Sequence, residues 1–267
     1  MFSIQDKIII ITGATGALGG AIALSMAKAK GKIVILGRND DLLTQSLSEL
    51  RKYTLAEAFC VDVMNRNELE DVREKIINQF GRIDVLINAV GGNLPGAVIP
   101  DDRSIFDISE PDFDEVVDLN LKGTLIPSIV FGKVMQLQGK GAIVNYSSMA
   151  VDRIITRVVG YSAAKAAMEN FTKWMAVEMA LKFGDGIRVN AIAPGFFIGK
   201  QNRDLLLNKD GSLTERGEKI IRNTPMKRFG EADELSGALH FLCSDSASFV
   251  TGIVLPVDGG FSAYSGV

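Results

Sequence analysis

The sequence predicts an α/β fold: a single domain with a doubly wound, seven-stranded parallel sheet and helices on both faces. Three observations carry that expectation. Short apolar runs rich in β-branched residues alternate with longer helical stretches along the whole chain, which is the β-α-β-α order of a parallel sheet. Most of those runs are continuously apolar, as strands covered on both faces must be. A glycine-rich turn closes the first run and opens the first helix, the arrangement that presents main-chain N–H groups to a phosphate. No internal repeat, low-complexity stretch or linker interrupts residues 1–267, so one domain is expected across them.

Taken in order, strands are expected at Lys7–Thr12, Lys32–Leu36, Ala58–Val61, Ile83–Asn88, Ala142–Tyr146, Ile187–Ala191 and Ile253–Val257. Helical patterns fill the spaces at about 18–30, 40–52, 66–80, 111–137, 160–183 and 231–243. Two segments break the rhythm. Gly91–Glu110 is longer than a plain strand-to-helix connection, and Gly195–Gly230 is an insertion of mixed polarity with the look of a lid. Both follow carboxyl ends of expected strands, where open α/β sheets bind their ligands.

Composition narrows the function. A net charge of −3 and a pI near 5.4 argue against a nucleic-acid partner, which calls for a basic face. No apolar run reaches membrane-spanning length, and no signal pattern precedes Lys7, so a cytoplasmic setting is expected. Cys60 and Cys243 are isolated in apolar contexts and read as buried thiols in a reducing compartment. With one histidine, His240, in an apolar helical run and no Cys/His cluster, no metal site is expected.

The turn after the first strand runs Thr12-Gly13-Ala14-Thr15-Gly16-Ala17-Leu18-Gly19-Gly20. Glycines there let the backbone approach a phosphate, and the following helix supplies free N–H groups and the positive end of its dipole. Gly13, Thr15, Gly16, Ala17, Leu18 and Gly19 are therefore expected to hold a dinucleotide. The second strand ends Leu36-Gly37-Arg38-Asn39, where a carboxylate would bind a ribose 2′-hydroxyl and repel a 2′-phosphate. Gly37 offers none and Arg38 can pair with a phosphate, so NADP is preferred, with NAD as the alternative and Asn39 beside Arg38 at the ribose. Asp62-Val63 after the third strand and Asn88-Ala89-Val90-Gly91 after the fourth extend this row along one sheet edge.

A second constellation lies further on. Ser147-Ser148 ends the fifth strand, and thirteen residues past Ser148 comes Tyr161-Ser-Ala-Ala-Lys165 at the start of a helix. A spacing of four puts the phenol and the ammonium on one helix face. A neighbouring positive charge lowers a phenol pKa from about 10 and suits it to proton exchange with an alcohol oxygen.

Together these motifs, in this order and spacing, resemble the short-chain dehydrogenase/reductase family over nearly the whole chain. The resemblance implies a Rossmann-like sheet, a nicotinamide cofactor, interconversion of a secondary alcohol and a ketone, and assembly as a homotetramer. It matches Asn120, in Asp118-Leu119-Asn120, to the asparagine of a proton relay, Ser148 to the catalytic serine, and Tyr161 and Lys165 to the catalytic pair. Lys165 also takes a cofactor role, gripping the nicotinamide ribose beside Tyr161. Asn190, Pro194, Gly195 and Phe197 match the segment lining the nicotinamide, and Val257-Asp258-Gly259-Gly260 matches the usual C-terminal signature. Three positions depart from the family pattern. Gly16 stands one residue before the usual second glycine and leaves Ala17 in its place, Ala89 replaces a second asparagine, and Gly199 stands where a threonine is common.

The insertions carry the expectation for substrate. Gly91-Gly92-Asn93 places Asn93 near the nicotinamide end, and the lid begins Lys200-Gln201-Asn202-Arg203. Arg203 and Lys200 suit a carboxylate, Gln201, Asn202 and Asn93 suit hydroxyls, and Arg153 and Arg157 are further candidates. The substrate set is Asn93, Ser148 and Arg203. Glycine-glycine-asparagine after the fourth strand, with the lid residues, resembles a sugar-acid subgroup of the fructuronate–mannonate or ketogluconate type. Two alternatives are a 3-oxoacyl-carrier-protein reductase and a dinucleotide-sensing protein without catalysis.

Overall fold

The computed structural model describes residues 2–199 and 202–266. Seven parallel strands form one sheet: β1 (Ile8–Thr12), β2 (Lys32–Gly37), β3 (Ala56–Cys60), β4 (Val85–Asn88), β5 (Gly141–Tyr146), β6 (Ile187–Pro194) and β7 (Val254–Val257). Their spatial order is β3-β2-β1-β4-β5-β6-β7. The order reverses between β1 and β4, so the crevice of a doubly wound sheet opens at their carboxyl ends.

The four isoleucines of β1 show why the sheet is covered on both sides. Ile9 and Ile11 point into a layer with Ile22, Met26 and Leu239, while Ile8 and Ile10 point into another with Leu69, Ile76 and Phe131. All four are at most 1% exposed. Burying such a side chain stabilises the fold by about 1.5–3 kcal/mol, so neither layer is dispensable. On the first face lie α1 (Ala17–Lys28), α2 (Asp40–Leu50) and α8 (Ser236–Cys243). On the second lie α3 (Arg66–Phe80), α4 (Glu110–Gln138) and α5 (Val159–Phe183).

Local chemistry sets the helix ends. Asn39, Asn65 and Ser109 cap α2, α3 and α4 by accepting from the N–H groups of Leu42, Glu68 and Asp112. Gly81 and Gly139 end α3 and α4 in the left-handed conformation, at φ 76° and 69°. On α8, His240 is a packed helix residue whose Nε2 lies 3.1 Å from Ser25 Oγ.

Strand boundaries shift by one to three residues from expectation, most notably at β3 and β6. β3 starts at Ala56, because an edge strand with a single neighbour tolerates the polar Glu57 that an apolar-run criterion rejects. β6 runs on to Pro194, which pairs with Val257. Cys60, expected to be buried, is exposed at the end of that edge strand, while Cys243 is buried. The Gly195–Gly230 insertion contains α6 (Arg203–Leu206) and α7 (Glu215–Asn223), and a bridge between Phe197 and Gly230 ties its two ends together. Among the described residues, no helix is long and apolar enough to cross a membrane.

Candidate active site

The turn after β1 is a cradle in which side chains have no room. Gly13 has φ +69°, and a Cβ there would lie 2.7 Å from the Ala89 carbonyl oxygen. A Cβ on Gly19 would lie 2.4 Å from the Gly13 carbonyl oxygen. Gly16 is the N-cap of α1 and makes no side-chain cap, and the first turn, with Ala17 and Leu18, carries no acidic residue. The opening N–H groups of α1 thus face outward without an internal acceptor. This glycine-walled, positively polarised turn fits the diphosphate of a dinucleotide. Gly16 followed by Ala17 leaves it intact, since only Gly13 and Gly19 are forced to lack a side chain.

The other strand ends line up beside it. Thr15 Cγ2 lies 3.6 Å from where a Gly37 Cβ would be, so the end of β2 is in contact with the turn. Arg38 is exposed, and the Asn39 carbonyl is committed to capping α2. Asp62 Oδ1 accepts from Met64 N at 2.9 Å, and Val63 is buried. Asn88 is fully buried and donates to Ser128 Oγ and Asn145 Oδ1, each at 2.9 Å, so its amide is a brace between β4, α4 and β5. Thr12 Oγ1 accepts from Ala89 N at 3.2 Å and fixes the backbone there. Asn190 is also a brace: it donates to the Val250 carbonyl and accepts from Ile253 N, from a place buried within β6. Gly195 packs against Asp258, where a Cβ would lie 2.7 Å from Asp258 Cα. The Phe197 ring packs inward against Gly230, and its carbonyl accepts from Asn202 Nδ2.

The structure brings Asn120 and Lys165 together at Gly91, with the Tyr161 ring beside Lys165. A Cβ on Gly91 would lie 2.6 Å from Asn120 Oδ1 and 3.0 Å from Lys165 Nζ. Asn120 grips Gly92 at both ends of its amide, donating to the carbonyl at 2.8 Å and accepting from the N–H at 3.2 Å, and also donates to Val116 O. Lys165 is 2% exposed and donates to the Tyr146 carbonyl at 2.7 Å. Its Nζ stands 5.7 Å from the Tyr161 ring centroid. Ser148 Oγ accepts from Ala150 N at 3.2 Å.

Burial governs the electrostatics. It lowers the Lys165 pKa to about 8, so the side chain is still mostly charged at neutral pH. Tyr161 is only half-buried as a whole side chain, yet the protein packed around its phenol raises its pKa, and a hydrogen bond with Ser148 pulls the other way. This corrects the expectation that Lys165 sets a lowered phenol pKa: burial is the larger effect here, and it keeps the proton on Tyr161.

The sequence reading missed a second pair. Ser147, buried beside Ser148, donates to Glu169 Oε1, and Glu169 is 5% exposed on α5. Burial raises the Glu169 pKa, opposed by the Ser147 hydrogen bond; Asp152 raises it further and Lys173 lowers it. Tyr161, Lys165 and Glu169 follow at intervals of four, a helical face visible in the sequence once a ligand-bearing role is sought for its third member.

The substrate candidates separate. Lys200 and Gln201 lie outside the described residues. Asn93 is exposed and its carbonyl accepts from Leu94 N. Arg203 opens α6 and is exposed. Asn202 is held inside the loop, donating to Phe197 O and accepting from Gly199 N. Arg153 donates to the Ser262 carbonyl, and Arg157 is paired with Asp101.

A sheet in this order, a phosphate cradle at β1 and a tyrosine–lysine pair on α5 define an oxidoreductase class. Comparison with known proteins agrees: the family profile adh_short_C2, described as Enoyl-(Acyl carrier protein) reductase, matches residues 13–262. The chain belongs to the short-chain dehydrogenase/reductase family. It is 45% identical over 275 residues to UxuB, an uncharacterized oxidoreductase of Bacillus subtilis, covering 99% of this chain and 98% of that one. It is 33% identical over 267 residues to the 3-oxoacyl-[acyl-carrier-protein] reductase FabG of Thermotoga maritima, covering 96% and 98%. Among solved structures, a proposed D-mannonate oxidoreductase from Haemophilus influenza with bound NAD superposes with a TM-score of 0.92 at 42% identity, covering 99% and 98% of the two chains.

Proposed function

We propose that the protein is a nicotinamide-dependent reductase and dehydrogenase of a keto sugar acid, with Tyr161 as its proton donor and acceptor. The observation that carries this reading is the meeting of Asn120 and Lys165 at a Gly91 that has no room for a side chain, with Lys165 Nζ 5.7 Å from the Tyr161 ring.

A dinucleotide held through its diphosphate by the turn after β1 would supply or take up the hydride at its nicotinamide. Tyr161 holds the proton that the substrate oxygen needs, since burial keeps the phenol protonated at neutral pH. In reduction the proton passes from the Tyr161 hydroxyl to the carbonyl oxygen, and in oxidation it returns. Ser148 donates to the same oxygen and stabilises the charge that builds there. The Lys165 ammonium, held by the Tyr146 carbonyl, favours the phenolate left behind. Asn120 holds Gly91-Gly92 in the close-packed position from which the loop meets the substrate. Glu169 holds Ser147, and with it the adjoining Ser148, against α5.

Of the two cofactors, exposed Arg38 next to a carboxylate-free Gly37 supports NADP. The NAD bound in the Haemophilus protein supports NAD as the second reading. The sugar-acid substrate draws on the name of that same relative and on the polar insertions. A 3-oxoacyl-carrier-protein substrate is the alternative favoured by similarity to the Thermotoga reductase. Assembly as a homotetramer draws support from the exposed apolar face of α5 at Trp174, Val177 and Leu181.

The reading is tested by following oxidation of NADPH and of NADH against fructuronate, 5-ketogluconate, apolar ketones and a 3-oxoacyl thioester. Turnover of a keto sugar acid above the others supports it, and turnover confined to the thioester or apolar ketones refutes it. Cofactor binding with no turnover of any of them points to a dinucleotide sensor.

A further inference from the structure

We propose that Arg153 is a positioning residue for Ser148: it ties the segment that carries this serine to the rigid turn Asp258–Tyr264. The inference rests on the reading above in which Ser148 donates to the reacting oxygen. It also commits Arg153 to the main chain and not to a substrate carboxylate.

Beyond β5 the chain makes one tight turn. Ser147 N donates to Ile192 O at 2.7 Å and Met149 N to Pro194 O at 3.3 Å, which lays these residues along the end of β6. Val151 N then donates back to Ser148 O at 3.2 Å, and Arg153 N to Met149 O at 2.9 Å. Inside the turn, Ser148 Oγ accepts from Ala150 N at 3.2 Å. A hydroxyl that takes this N–H on a lone pair keeps its own hydrogen free to donate elsewhere, so the shape of the turn sets where Ser148 can donate. Met149 and Ala150 are buried, whereas Val151 and Arg153 are half-buried and Asp152 is exposed. The outer end of the turn has little burial to fix it, and Arg153 supplies the tie.

The Arg153 guanidinium donates to the Ser262 carbonyl through Nε, at 2.8 Å, and through Nη2. Both bonds are charge-assisted, and such bonds are roughly twice as strong as neutral ones. Ser262 is a fixed acceptor because its own turn is held from several sides. Asp258 accepts from Gly260 N on Oδ1 at 2.9 Å and from Ser262 N on Oδ2 at 2.7 Å. Gly195 N donates to Val257 O at 3.0 Å, and Met226 N donates to Gly259 O at 3.1 Å. The Phe261 ring meets Phe196 edge-on, with centroids 5.2 Å apart. Gly260 has φ +87°, and a Cβ there would lie 3.0 Å from Pro225 Cγ. The ends of β6 and β7 and the foot of the Gly195–Gly230 insertion thus fix this turn, and Arg153 extends that rigidity to the serine segment.

The test is a double-mutant cycle on kcat with Arg153→Met, Ser148→Ala and both together. It uses saturating reduced cofactor and whichever of fructuronate, 5-ketogluconate, an apolar ketone and a 3-oxoacyl thioester the wild type turns over fastest. Arg153→Met keeps the aliphatic stem and removes the donors. Met149 still holds the near half of the turn, so Ser148 shifts by a fraction of an ångström and kcat falls by about tenfold. The affinity for reduced cofactor, read by fluorescence titration, stays unchanged. In the Ser148→Ala background Arg153→Met costs nothing further, since the group being positioned is gone. Arg153→Lys recovers most of the loss, because both guanidinium bonds go to one oxygen that a single ammonium can serve. Wild-type kcat in Arg153→Met, or the same loss in the Ser148→Ala background, overturns the positioning role and leaves the catalytic reading intact. Ser148→Ala at the wild-type rate, or a wild type that turns over none of the compounds, overturns that reading and the positioning role with it. If Arg153→Met fails to fold, Arg153→Gln, which keeps one uncharged donor, takes its place. A loss that persists undiminished beside Ser148→Ala, or no loss at all, then overturns the proposal.

Discussion

The Lys165 ammonium donates to the main-chain carbonyl of Tyr146 at 2.7 Å, which joins α5 to the end of β5 one residue before Ser147. Burial lowers the Lys165 pKa from 10.5 to about 8, so in this range the folded protein binds fewer protons than the unfolded chain. Below pH about 8 the charged lysine destabilises the fold, by about 3 kcal/mol for a shift of this size. The penalty fades as pH rises from about 8 to 10.5. Lys165→Met is therefore expected to be inactive yet more stable than wild type at neutral pH, with the stability gap closing toward pH 10.5. Urea denaturation of both proteins across this range checks the sign.

Gly91→Ala inserts a carbon 2.6 Å from Asn120 Oδ1 and 3.0 Å from Lys165 Nζ. Both groups must move, whereas the sheet beneath them is untouched. A displacement of about 1 Å in a catalytic site costs about 100-fold in rate. We expect kcat to fall by about that factor with the circular dichroism spectrum unchanged.

The Ser147–Glu169 bond gives a contrast between two substitutions. Glu169→Gln keeps an acceptor for the Ser147 hydroxyl, and Glu169→Ala removes it. The Ala variant should lose kcat with little change in cofactor affinity, and the Gln variant should retain it. Burial raises the Glu169 pKa, so the ionised wild-type side chain destabilises the fold above its folded pKa. Glu169→Gln should then be more stable than wild type at neutral pH, and the difference should shrink as pH falls toward 4.5.

At the end of β2, Arg38 is exposed beside Gly37, in reach of a 2′-phosphate if NADP is the cofactor. Arg38→Ala is expected to weaken NADPH binding by about tenfold, the scale of a charge-assisted pair, and to leave NADH nearly unaffected. Titration of cofactor fluorescence distinguishes the two. Equal losses for both would show that Arg38 only stacks on the adenine.

The seven strands were legible because buried parallel strands must be continuously apolar. The reading failed at β3, where an edge position admits Glu57. The cradle was legible in its glycines, since Gly13 has both a positive φ and no room for a Cβ. Tyr161 and Lys165 announced themselves by spacing, but spacing says nothing of solvent exclusion, so the direction of the Tyr161 pKa was misjudged. Asn88 and Asn190 read as cofactor-lining residues in sequence, and the bonds their side chains donate to neighbouring elements have no local signature.

The central claim is that the Tyr161 phenol transfers the proton during reduction of a keto sugar acid. The most direct measurement is kcat for that reduction in wild type and in Tyr161→Phe, at saturating cofactor and with cofactor affinity verified separately. General acid catalysis predicts a loss of about 100-fold or more, with cofactor binding preserved. A Tyr161→Phe protein that turns over at near the wild-type rate would contradict the account.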